Sequence, residues 1–157
     1  MNEDTLPDKL SELLKVALAD FDQVRQMPER FMILMNLWHA PMNDDSHCAV
    51  CLAGAVMAMT LKMPDNEELA PSSFPPEIQR KLRALDNLRQ GHVIYALDAI
   101  GRHDLVETLP ATLKYFRVHR YDGEDNHQHA RELEKSRYTR WRADMDRLIT
   151  QLEEVNL

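Results

Sequence analysis

The chain has 157 residues, 44% hydrophobic and 29% charged, with a formal net charge of −7. That length suits one domain with a buried core, and that balance excludes a disordered chain. The excess of acid disfavours general binding to a phosphate backbone, four glycines argue against a turn-rich β protein, and no apolar run is long enough for a spanning helix.

The acidity is uneven. Residues 1–60 carry nine acids and four bases, residues 61–110 eight and six, and residues 111–157 nine of each. The opening Met1-Asn2-Glu3-Asp4 is too polar for a secretory leader. Two cysteines three positions apart cannot close a useful loop, so the chain reads as cytosolic and reduced.

In chain order, Thr5-Leu6-Pro7-Asp8 combines a cap residue with an early proline and predicts a first helix. Leu10, Leu14, Ala17, Phe21 and Val24 then draw one apolar stripe that ends near Gln26, ahead of Pro28. The run Phe31–Trp38 is ambiguous by periodicity, and its shortness between Pro28 and Pro41 favours an extended piece. Ser46 or Asp45 can cap a helix that carries both cysteines and runs to about Lys62.

Residues 64–76 hold Pro64, Pro71, Pro75 and Pro76 and predict a loop laid on the surface. A helix from Pro76 places Ile78, Leu82, Leu85 and Leu88 on one face, and Gly91 interrupts it. A shorter helix with Val93, Ile94, Leu97 and Ile100 stops at Gly101. A turn or two follows over 104–109, and Pro110 starts a helix holding Leu113, Phe116 and Val118. Tyr121–Asp125 reads as a turn. From about Asn126 to Val155, Tyr138, Trp141, Met145, Leu148, Leu152 and Val155 recur at alternating steps of three and four, the rhythm of a bundle seam. The expected fold is a single, mainly α domain over 1–157, a multi-helix bundle with one short extended segment near 31–38.

His39, His47, Cys48 and Cys51 are the ligand types of a tetrahedral zinc site. A second cysteine pair at zinc-site distance is lacking, so buried thiols at helical i, i+3 spacing are the reading adopted, with structural zinc as the alternative and no cofactor otherwise expected. Lys114–Tyr121 and Arg137–Arg142 interleave bases with aromatics, as single-stranded nucleic acid would require. Acids sit among them, and a solvated face of ion pairs is the simpler reading. No nucleophile elbow, phosphate loop or His-Glu-x-x-His is present, and no catalytic residue is assigned; His103, Asp104 and Asp98 are the nearest to an acid–base group. The last helix either packs on the first or projects to pair with a second copy, in which case Trp141 and Met145 are the anchors.

The segment from Trp38-His39 through Cys51-Leu52-Ala53-Gly54-Ala55-Val56-Met57, with Leu85, Leu88-Arg89 and Gly91 downstream, resembles small proteins encoded in the accessory regions of tailed phages and prophages. The resemblance implies a phage or prophage origin, action in a bacterial host cytoplasm and a protein-directed role. The function expected is therefore non-enzymatic binding, accessory or inhibitory, to a host or phage protein, with Glu29, Asp44 and Asp45 facing a basic surface. A zinc-stabilised regulatory or nucleic-acid-associated protein and a small enzyme are the alternatives.

Overall fold

A computed structural model describes residues 6–42, 47–123 and 130–157. The first helix, α1, spans Leu10–Arg25 and buries Leu10, Leu13, Leu14, Ala17, Leu18, Phe21 and Val24. That apolar face is wider than a single stripe because neighbours pack on α1 from several sides. It begins at Leu10, later than a cap at Thr5 implies, and Thr5 itself lies outside the described residues. No side chain caps it; the backbone N–H of Ser11 instead donates to the main-chain oxygen of Leu157 at 3.0 Å, satisfying one of the orphan donors of the first turn.

Three short strands follow: β1 (Phe31–Ile33), β2 (His39–Pro41) and β3 (Cys48–Val50). Their order is β1-β3-β2, with β1 parallel to β3 (Phe31 beside Cys48, Ile33 beside Val50) and β2 antiparallel to it (His39 beside Val50, Pro41 beside Cys48). The molecule is thus helix-rich with a small mixed sheet, which corrects the expected bundle. The extended piece near 31–38 is real but covers only Phe31–Ile33 as a strand. The cysteine helix is corrected more sharply. Cys48 lies on the central strand, Cys51 is an N-cap, and α2 runs only over Leu52–Ala58. Cys48, Ala49 and Val50 are all buried, and a run buried on both faces has no alternation by which to tell strand from helix.

Beyond α2 the chain turns through Lys62 at φ +55°. Leu69 lies back on the sheet, its N–H donating to His39 O at 2.8 Å, so the proline-rich loop is laid on the surface as expected. A 3₁₀ turn at Pro71–Ser73 leads into α3 (Pro76–Leu88), then α4 (Val93–Ala99), a 3₁₀ segment (His103–Thr108) and the single turn α5 (Ala111–Lys114). Phe116 and Val118, expected within that helix, lie past its end. Gly91 turns the chain between α3 and α4 at φ +79°.

The last helix, α6, spans Ala130–Glu154. It closes with Asn156 at φ +61°, the Asn156 N–H donating to Glu153 O at 3.0 Å and the Leu157 N–H to Leu152 O at 2.9 Å. That is the two-bond Schellman closure with asparagine in place of glycine. Trp141, Met145, Leu148 and Leu152 are at most 2% exposed, whereas Val155, the last residue of the expected seam, is 39% exposed. α6 runs antiparallel to α1. Lys9 meets Asn156, Lys15 meets Glu153, Asp22 meets Tyr138, and Arg25 meets Glu134. Phe21, Tyr121, Tyr138 and Trp141 stack among themselves at centroid separations of 5.4–6.3 Å, closing the same interface. Among the described residues no helix is long and apolar enough to cross a membrane.

Candidate functional site

The cysteine segment is positioned by the sheet. His39 on β2 and Cys48 on β3 flank each other, and each is 1% exposed. Cys48 Sγ lies 3.6 Å from His39 Nε2, while His39 Nδ1 lies 2.8 Å from the carbonyl oxygen of Glu67. A carbonyl only accepts, so Nδ1 donates to it, and Nε2 faces the thiol. Imidazole and thiol are both buried and both have partners. The loop that supplies Glu67 is pinned by a bidentate pair, Arg30 to Asp65, at 2.6 and 3.0 Å.

Cys51 is held elsewhere. Its sulfur accepts the Gly54 N–H at 3.4 Å and donates to Trp38 O at 3.8 Å, which makes it the cap of α2. Burial pushes both thiols up to about 11, with the charge of Asp65 adding to the effect at Cys48 and backbone N–H groups opposing it at Cys51. These are the conditions of inert thiols, not of nucleophiles. The ring of His47 points to Pro28, with Nε2 3.0 Å from the proline's carbonyl oxygen. Of the four candidate zinc ligands, then, the fold brings His39 and Cys48 together and gives Cys51 and His47 other partners. Among the described residues no three His, Cys, Asp or Glu side chains are grouped to hold a metal.

Glu29 is exposed, just before the pinned Arg30. Asp44 and Asp45 lie outside the described residues. Trp141 and Met145, the anchors expected if α6 projected toward a second copy, are 2% and 0% exposed inside their own chain. They are core residues because α6 lies on α1. Of the acid–base candidates, His103 contacts Asp98 on the surface and Asp104 pairs with Arg102.

Sequence reasoning missed two arrangements. Glu67 and Glu68, both exposed, join Glu29 around the Arg30–Asp65 pin; the composition of 61–110 held the signal, but only the fold-back of Leu69 on His39 places it. The second is Asp144, 7% exposed, which accepts the His119 backbone N–H at 2.6 Å and faces its ring nitrogen Nδ1 at 2.8 Å. Burial works against the charge of Asp144, yet those bonds and Arg147 outweigh it and hold the carboxyl below the usual range. The dyad orients His119 toward a cleft of about 400 Å³ that Arg89, His92 and Arg120 also line. The two residues are 25 apart in sequence, and nothing in their spacing announces the pair.

No family model, curated protein or solved structure matches the chain.

Proposed function

We propose that the chain is a non-enzymatic protein-binding factor, accessory or inhibitory, that meets a basic surface of its partner with the acidic face around Glu29, Glu67 and Glu68. One observation carries the reading: the reactive groups of the cysteine segment are sealed and mutually satisfied, while the acids beside them stand exposed on a pinned loop. Fixed charge on a rigid element steers association and selects partners. The resemblance to phage and prophage accessory proteins supports an origin of that kind, with a bacterial host cytoplasm as the place of action. Asp44 and Asp45 add to the same acidic half by sequence.

The test is affinity capture from a bacterial lysate, quantified by mass spectrometry, with the natural chain and a Glu29→Lys, Glu67→Lys, Glu68→Lys variant as baits. A partner enriched by the first and lost by the second supports the reading. The same partners on both baits would remove it.

A second reading, a zinc-stabilised regulator, has one observation in its favour. The 3.6 Å between His39 Nε2 and Cys48 Sγ is close to the ~3.5 Å that separates a nitrogen and a sulfur ligand on one tetrahedral zinc. Elemental analysis of the purified protein decides it: stoichiometric zinc supports that reading, and its absence after purification without chelator counts against it.

A further inference from the structure

Four cationic side chains, Lys9, Arg80, Lys81 and Arg102, line one cleft of about 400 Å³ between the start of α1, the start of α3, the end of α4 and the end of α6. In a chain of net charge −7 this is an anomaly of placement. Two acids, Asp8 and Glu77, share the lining, and Asp104 engages Arg102 through two bonds of 3.1 Å, so four positive charges stand against three negative. Three of the four cations, Lys9, Lys81 and Arg102, are held in place by partners. Lys9 Nζ sits 2.7 Å from the neutral amide oxygen of Asn156. Lys81, its side chain only 12% exposed, donates to Leu6 O at 2.7 Å and pairs at 2.9 Å with Asp8, whose own side chain is 94% exposed and screened by water. Arg80 has no partner among the described residues. The remaining wall is apolar, supplied by Leu10, Ile100 and Leu105.

We infer that this cleft binds a small organic anion, a phosphate or carboxylate head on a short apolar tail. The volume is within the range of ligand clefts. Ammonium and guanidinium groups suit either head, and the leucine and isoleucine wall suits the tail. The inference is independent of the acidic face, which lies on the sheet side of the molecule.

The experiment is isothermal titration of the full chain at low ionic strength with n-hexyl phosphate, hexanoate, inorganic phosphate and hexanol. Saturable binding of one hexyl phosphate or one hexanoate per chain, at least tenfold tighter than hexanol and inorganic phosphate, is the expected result. Whichever of the first two binds tighter identifies the head. Arg80→Glu and Lys9→Glu, each shown to be folded by circular dichroism, are expected to weaken binding tenfold or more, and Arg140→Glu on the exposed face of α6 to leave it unchanged. No saturable binding, equal binding of hexanol, unchanged affinity in Arg80→Glu, or an equal loss in Arg140→Glu would each overturn the assignment.

Discussion

The carbonyl oxygen of Trp38 stands where a side chain on residue 54 would have to be: a Cβ added to Gly54 would lie 1.8 Å from it. That carbonyl is fixed, since it accepts the Cys51 N–H at 3.3 Å and the Cys51 thiol at 3.8 Å. Residue 54 is therefore glycine for reasons of contact; it is not among the residues with positive φ. Gly54→Ala is expected to destabilise the fold by about 3 kcal/mol or more, because backbone must move to admit one methyl group. Gly101→Ala is the comparison: at φ +75° with nothing within 4 Å of the added atom, it meets only the backbone penalty of about 1 kcal/mol. Urea unfolding of the two variants checks the difference, and equal losses would refute it.

The two thiols make a prediction about pH. In the fold both are raised from 9.0 to about 11 by burial. An acid whose folded value is raised adds stability that is whole below its unfolded value and is lost as pH climbs to the folded one. Stability is therefore expected to hold up to about pH 9 and to fall between 9 and 11, by up to about 1.4 kcal/mol per pH unit for each thiol. A Cys48→Ala, Cys51→Ala variant should lack most of that slope. At neutral pH the same shift predicts reaction with an aromatic disulfide roughly a hundredfold slower than for a free cysteine, with both thiols released in denaturant. Fast native-state labelling of either cysteine would contradict the buried geometry.

What could be read from residue order follows the helical period. The stripe of α1, the Ile78–Leu88 face of α3, the stops at Gly91 and Gly101, and most of the α6 seam are all visible because burial repeats every three or four residues. The sheet is not. Its strands have three residues each, β3 is buried throughout, and β1 pairs in parallel with β3 across an intervening strand and loop. No local signal specifies such a pairing. Cys51 hides for another reason: sulfur is a weak acceptor and is not among the side chains that announce a helix start. The candidate site was legible in residue type but not in geometry. His39 and Cys48 attract notice as ligand types, yet their pairing depends on the register that sets β2 beside β3, and the carbonyl that orients the ring comes from Glu67, 28 residues on.

Ion pairs along α1 and α6 divide by burial. Arg25 and Glu134 meet at 2.5 Å with side chains 21% and 11% exposed, and the Tyr121 hydroxyl donates to the same carboxylate at 2.6 Å. Lys15 and Glu153 meet at 2.6 Å with side chains 51% and 48% exposed. Glu134→Gln is expected to cost about 2 kcal/mol, because it leaves a mostly buried guanidinium without its counter-charge. Glu153→Gln should change stability by no more than about 0.5 kcal/mol, since water already screens that pair. Salt separates them as well: the exposed pair weakens in 1 M sodium chloride while the buried one persists. Urea midpoints at two salt concentrations test both statements, and equal costs would show that burial does not decide between them.

Met145 distinguishes a seam within the chain from a seam between copies. Its side chain is 0% exposed, one turn from the buried Trp141. Met145→Asp would bury a carboxylate in the hydrophobic core that Met145 shares with Leu148, Leu152 and the leucines of α1. The loss expected is about 4 kcal/mol or more, enough to unfold a domain of ordinary stability. Circular dichroism should show lost helix, and light scattering should show an expanded or aggregated chain. Were the seam a contact between two folded copies, the same substitution would release a monomer with its helical signal and thermal transition intact. A conservative partner, Met145→Leu, keeps volume and polarity and should remain folded with a cost under about 1.5 kcal/mol. A folded Met145→Asp monomer from a natural chain that is dimeric would mean that α6 is held by a second molecule and not by α1.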